Sequence, residues 1–161
     1  MHGRLKRAVI GAAMVAIVGV GPALLSTTSA GAWFTGNQGC TPGYWKNHTD
    51  SWADTKYSPT DTVGSVFTLP ADLSSFSGET LLAALDGAGG PDLNGATEIL
   101  LRAAVAGLLN ATDANVQFSS GNALIIKHVN AALATENRDT ILALATRLDN
   151  KNNGTGGCPL S

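Results

Sequence analysis

Asn94-Gly95-Ala96-Thr97-Glu98-Ile99-Leu100-Leu101-Arg102-Ala103-Ala104-Val105-Ala106-Gly107-Leu108-Leu109-Asn110 decides the fold class of this chain. Asn94 is of a type that caps helices, and Glu98 suits a first turn, where the helix dipole favours an acid. From there Ile99, Leu100, Leu101, Ala103, Ala104, Val105, Ala106, Leu108 and Leu109 leave almost no polar face. A helix that is apolar all round offers nothing to water, so other elements have to enclose it. Over Gly95 to Asn110 it is too short to cross a bilayer.

The neighbouring stretches supply the enclosure. Towards the C-terminus, Ser119 or Ser120 precedes a helix expected from Asn122 to about Thr135. Its apolar face carries Leu124, Ile125, Ile126, Val129, Ala132 and Leu133, with Lys127 and Asn130 opposite. A further helix is expected over Asp139 to Leu148, where Ile141, Leu144, Ala145 and Leu148 follow the helical period. Towards the N-terminus, Ser77-Gly78-Glu79-Thr80 opens a helix striped by Leu81, Leu82 and Leu85, which Gly87, Gly89, Gly90 and Pro91 then stop.

The segment from Trp33 to Leu69 has no lasting period but holds all three tryptophans and both tyrosines. It reads as an irregular arm with a short extended piece at Gly64 to Leu69, and its aromatics argue against disorder. The expected class is therefore mainly α. About four helices over 77–149 form a small bundle, with the aromatic-rich arm over 33–76 and a Gly/Asn-rich tail over 150–161.

The opening residues speak to location. Arg4, Lys6 and Arg7 precede an apolar run from Ala8 to Leu25, and small residues follow through Ala32. Basic, apolar and small segments in that order make a secretory signal peptide over 1–32. Ala30-Gly31-Ala32 places cleavage before Trp33, and Thr28-Ser29-Ala30 would place it before Gly31. An uncleaved anchor is the alternative, disfavoured by Pro22 and the small-residue region. The remainder, 33–161, is one domain's worth of chain, expected outside the cytoplasm, either secreted or at the cell envelope. In that compartment Cys40 and Cys158 are expected to pair within the chain rather than remain thiols or join two chains. The bond would tie the arm to the tail.

Charge narrows the partners. With three of the ten basic residues in the leader and all twelve acids beyond it, the exported part carries 7 − 12 = −5. Nucleic acid and anionic membrane surfaces are poor partners for such a domain. A protein or glycan partner at a surface fits better, without membrane insertion of the exported chain.

The densest chemistry lies in Cys40-Thr41-Pro42-Gly43-Tyr44-Trp45-Lys46-Asn47-His48, followed by Asp50, Trp52, Asp54 and Tyr57. Tyr44, Trp45, Asn47, His48, Trp52 and Tyr57 are the candidate ligand-binding residues. Three readings compete there: aromatics that cover the helices, a platform stacking sugar rings, and a metal site on His48 with Asp50 or Asp54. The last is weak, because no second His or Cys ligand stands nearby. His128 borders the apolar face of its helix and reads as half-buried. Ser119-Ser120-Gly121 lacks the glycine and strand of a nucleophile elbow. Gly87-Ala88-Gly89-Gly90 has no phosphate-loop Gly-Lys-Ser/Thr. No catalytic residue, metal or cofactor is therefore expected. Asn47-His48-Thr49, Asn110-Ala111-Thr112 and Asn153-Gly154-Thr155 fit the glycosylation sequon.

Gly39-Cys40-Thr41-Pro42-Gly43-Tyr44-Trp45-Lys46-Asn47-His48 resembles the opening of a group of largely uncharacterised secreted bacterial domains. Ser65-Val66-Phe67, Thr80-Leu81-Leu82, Arg102 to Ala111 and the Asn152-Asn153-Gly154…Cys158-Pro159-Leu160 ending follow in that group's order. Thr155-Gly156, which lengthens the last loop, and Leu101 before Arg102 depart from the pattern. The resemblance covers nearly all of the exported chain. It implies export, a single module and paired cysteines, and it carries over no established activity. The expectation is a secreted or cell-surface structural or interaction module rather than an enzyme. The alternative is a carbohydrate-binding module using Tyr44, Trp45, Trp52 and Tyr57, with a small hydrolase behind it.

Overall fold

The computed structural model describes residues 36–161, which all fall in one unit of the chain. The leader over 1–32 and Trp33 lie outside the described residues. Among these residues there are six α-helices and two 3-10 segments. The one β feature is an isolated antiparallel bridge between Thr62 and Thr80.

The central helix, α4 (Leu93–Thr112), begins earlier than its apolar run suggests. Asp92, not Asn94, is the cap, and its Oδ1 accepts from the Gly95 amide at 2.8 Å. Gly95 is needed for space, since a Cβ there would meet the Gly90 nitrogen at 2.1 Å, where the preceding loop folds back on the first turn. Its twenty residues could reach across a bilayer, so the expectation that it is too short fails on length. Asn94, Glu98, Arg102 and Asn110 dilute it, and no described helix is both long and apolar enough to cross a membrane.

α4 packs most extensively on α6 (Arg138–Asn152), then on α5 (Asn122–Leu133), with α1 (Pro42–Asn47) and α3 (Leu81–Ala84) also against it. From α6 it meets Ile141, Leu144, Ala145 and Leu148, all buried as their period predicts. Asn137 starts α6, accepting from the Thr140 amide at 2.9 Å. α5 departs from expectation on two counts. Its cap position is Gly121, because Ser119 is taken up elsewhere: its carbonyl and Oγ accept from Lys151 Nζ at 3.3 and 3.0 Å. Ile125, Val129, Ala132 and Leu133 form its buried face, while Leu124 is 46 % exposed. At about 100° of rotation per residue, Leu124 lies well round the helix from the middle of that face.

The arm is where the sequence reading needs most correction. It is not irregular: it holds α1, a 3-10 segment at Thr49–Asp54, α2 (Val63–Val66) and a second 3-10 segment at Ala71–Gly78. The expected extended piece at Gly64 to Leu69 starts instead as the last turn of α2. The Phe67 amide closes that turn on the Val63 carbonyl at 2.8 Å, and the Val63 amide reaches the Glu79 carbonyl at 2.8 Å. Such short helices stand on caps and tertiary contacts rather than on periodicity. For α1 the cap is Thr41, whose Oγ1 accepts from the Tyr44 amide at 3.1 Å ahead of Pro42, whose ring presets the helical φ.

The arm packs against the bundle. Trp45, Trp52, Val63, Phe67 and Leu73 are buried in the same core as the α4 side chains. Polar stitches hold it from outside: the Thr68 amide donates to Asn130 Oδ1 at 3.0 Å, and Tyr57 Oη to Asn122 Oδ1 at 2.6 Å. Its start pairs with the tail through Gly39 N–H to Gly157 O at 3.1 Å and Gly156 N–H to Asn37 O at 2.8 Å. Cys40 and Cys158 are joined, with Cα atoms 4.5 Å apart across 118 positions of sequence.

Candidate functional site

The Gly39–His48 segment is built around a buried amide. Asn110, near the end of α4 and fully buried, uses both ends of its side chain on residues far away in sequence. Its Oδ1 accepts from the Cys40 amide at 2.8 Å and from Trp45 Nε1 at 3.1 Å. Its Nδ2 donates to the Cys40 carbonyl at 2.8 Å and to Asn152 Oδ1 at 3.1 Å. Asn152, equally buried on α6, passes its own amide on to the Ala103 carbonyl at 2.8 Å. A primary amide has two acceptor and two donor sites, so Asn110 is saturated. Gly39 lets the arm approach this closely, since a Cβ there would meet the Lys151 and Asn152 carbonyl oxygens at 2.5 and 2.8 Å.

Trp45 and Trp52 are 0 % and 2 % exposed, and the indole of Trp52 donates to the Trp45 carbonyl at 3.0 Å. A platform that stacks sugars needs free ring faces, and these two offer none. Tyr44 is half-buried. Its ring stacks on the exposed imidazole of His48 with centroids 4.2 Å apart, and its hydroxyl donates to the Leu160 carbonyl at 3.1 Å. His48 Nδ1 sits 2.9 Å from the Tyr44 carbonyl. Tyr57 is half-buried as well. Burial pushes its phenol pKa up, and the Asn122 hydrogen bond offsets part of that rise. Asn47 is exposed, with its amide on the Gly43 carbonyl at 2.8 Å. The candidate residues thus divide, with the tryptophans inside, the tyrosines at the boundary, and Asn47 and His48 in solvent.

His128 is exposed rather than half-buried, since the buried face of α5 turns away from it. Neither it nor His48 makes a hydrogen bond with a serine or a carboxylate among the described residues. No three His, Cys, Asp or Glu side chains gather as a metal site among those residues. Asn47 and Asn153 of the three sequons are exposed, whereas Asn110 has no surface at all. A glycan on Asn110 is incompatible with this fold.

No protein-family model matches the chain, nor does any curated protein or solved structure.

Two further features went unseen in the sequence. Glu98 does more than favour the helix start, since its Oε2 accepts from the Gly89 amide at 2.9 Å and holds the glycine loop, where Gly89 adopts φ +82°. Partial burial and then the nearby Glu98 charge raise the Glu79 carboxyl above the ordinary range. An acid raised in this way binds its proton more readily folded than unfolded, so its charged form subtracts stability as pH rises through the carboxylate range. Glu79→Gln is expected to raise Tm at pH 7 by about 1–2 °C and to leave it unchanged near about pH 3, measured by thermal melts at both.

The second feature is a groove of about 500 Å3 between α1, the α3–α4 connection, α4 and α6, lined among others by Lys46, Asn47, Asp86, Arg102, Asp149 and Asn153. Lys46 and Asp86 form an ion pair at its edge. A smaller hollow of about 120 Å3 shares Arg102 and Asp149 with it.

Proposed function

We propose that this chain is a secreted or cell-surface structural or interaction module that catalyses no reaction. The observation that carries the reading is the use made of its chemically richest segment. In Cys40 to Trp52 the side chains that could have formed a reactive or stacking centre are spent on the fold: Cys40 on Cys158, Trp45 on Asn110, Trp52 on Trp45, and Tyr44 on the tail. Export is supported by the order of the first 32 residues and by a disulfide, a bond that persists in oxidising compartments. The resemblance to secreted bacterial domains points the same way.

Intact-mass analysis of protein recovered from the culture medium tests export. The expected mass lacks the leader, with Trp33 or Gly31 first and no titratable thiol. Recovery of the full-length chain from the cytosol alone would sink it. Non-catalysis is tested with chromogenic ester, peptide and glycoside substrates. Turnover that disappears in His48→Ala or His128→Ala would overturn the reading.

A further inference from the structure

The groove beside α4 carries polar groups that the fold leaves unused. Arg102 is half-buried and gives one N–H to the Gly87 carbonyl at 3.0 Å; its other donors have no partner among the described residues. The Asp149 carboxylate lines the same space and accepts no hydrogen bond there, and it forms no ion pair with Arg102. Asn47 and Asn153 each give one amide N–H, to the Gly43 and Asp149 carbonyls, both at 2.8 Å. Each keeps its second N–H and its Oδ1. What remains free is three sets of acceptors, two amide N–H groups and a guanidinium fork, drawn from three separate segments of chain.

We propose that this groove binds a saccharide through its hydroxyl groups. The two cations and two acids of the lining cancel, and Lys46 and Asp86 already neutralise each other, so the groove does not select a net charge. An anion would meet Arg102 but also the Asp149 carboxylate, which repels it. An ammonium would suit the acceptors and be repelled by Arg102. A hydroxyl donates and accepts at once, so neighbouring hydroxyls can give protons to Asp149, Asn47 and Asn153 while a sugar oxygen accepts from Arg102. The volume lies within the range of small-molecule sites. The lining of the groove includes no aromatic ring, so binding is weak, with Kd on the order of 1 mM. This deepens the module reading, on which it rests, and moves sugar recognition from the buried tryptophans to the face between α1 and α6.

The test is a 1H–15N NMR titration of the purified, disulfide-bonded protein with hexoses, N-acetylhexosamines and disaccharides, with a dipeptide and inorganic phosphate in parallel. A saccharide is expected to shift the amides of Gly43, Lys46, Asn47, Asp149 and Asn153 saturably. Asp149→Ala and Arg102→Gln are each expected to weaken it about tenfold or more, whereas Asp72→Ala, exposed on the second 3-10 segment and not part of the groove lining, binds as wild type. Asp149 is exposed, so its variant keeps the fold even if Arg102→Gln does not. The assignment is overturned if no saccharide shifts these amides, if only the dipeptide or phosphate does, or if Asp149→Ala binds unchanged. A sugar that binds there and is chemically altered sinks the non-catalytic reading and leaves the groove standing.

Discussion

Asn110→Ala is expected to lower stability by about 3–5 kcal/mol and Tm by on the order of 10–20 °C. The substitution removes few atoms, but it strands four buried groups at once: the Cys40 N–H, the Cys40 carbonyl, the indole N–H of Trp45 and the Oδ1 of Asn152. Each buried polar group left unpaired costs about 1–3 kcal/mol, and a water admitted to the gap recovers only part of it. Asn110→Asp is expected to do no better, because a buried carboxylate would face the Cys40 carbonyl and Asn152 Oδ1 without a proton to offer either. Asn152→Ala breaks two bonds rather than four, the shared one with Asn110 and its own to the Ala103 carbonyl, and should cost less. The Asn110/Asn152 double variant should fall short of the sum, since the two share a bond. Asn47→Ala, which loses one exposed bond, is the control and should cost under about 1 kcal/mol. Chemical denaturation of the set decides the matter. An Asn110→Ala protein as stable as its parent would mean that the amide merely accompanies the packing.

The helices that enclose the core were largely legible because burial imposes a period. Ile141, Leu144, Ala145 and Leu148 recur at helical spacing, and the continuous apolar run of α4 could only be central. Ends were less legible. Asp92 and Asn94 are equally good caps as residue types, and the choice fell to the close approach of Gly90 to Gly95, which no local pattern reveals. The arm was least legible. Its helices run four to eight residues, below the length at which periodicity shows, and they are held by contacts such as Val63 N–H to Glu79 O. The candidate site failed to show for a related reason. The groove joins α1, α4 and α6, so its members stand up to about a hundred positions apart in sequence. Asn110 did leave one signal. A lone amide closing an otherwise apolar stretch has to find buried partners, although the sequence does not say which.

Chemistry at the sulfur atoms offers the other large effect. Cys158→Ser, or reduction of the native protein, is expected to cost roughly 5 kcal/mol, because the bond closes a loop of 118 positions and its removal returns that chain entropy to the unfolded state. Against a typical domain stability of about 5–15 kcal/mol, such a loss brings unfolding within reach of ordinary temperatures. Cys158 is the informative partner to replace. It is half-buried, whereas Cys40 is fully buried, so serine at 158 removes the crosslink without placing a hydroxyl in the core. The damage should also be uneven. Cys40 keeps its place through Asn110, which binds its backbone and not its sulfur, so the arm stays docked on α4. Apart from the crosslink, the tail is held by the pairings of Asn37 and Gly39 with Gly156 and Gly157, an Asn37–Thr155 side-chain bond at 3.5 Å, the Tyr44 hydroxyl on Leu160 and the partial burial of Leu160. Hydrogen exchange on the folded variant should therefore find the Gly156 and Gly157 amides unprotected while Leu101 to Leu109 remain slow. A Tm within about 2 °C of the parent after Cys158→Ser, or loss of protection along α4 at the same rate as in the tail, would show that the crosslink does not anchor the tail in this way.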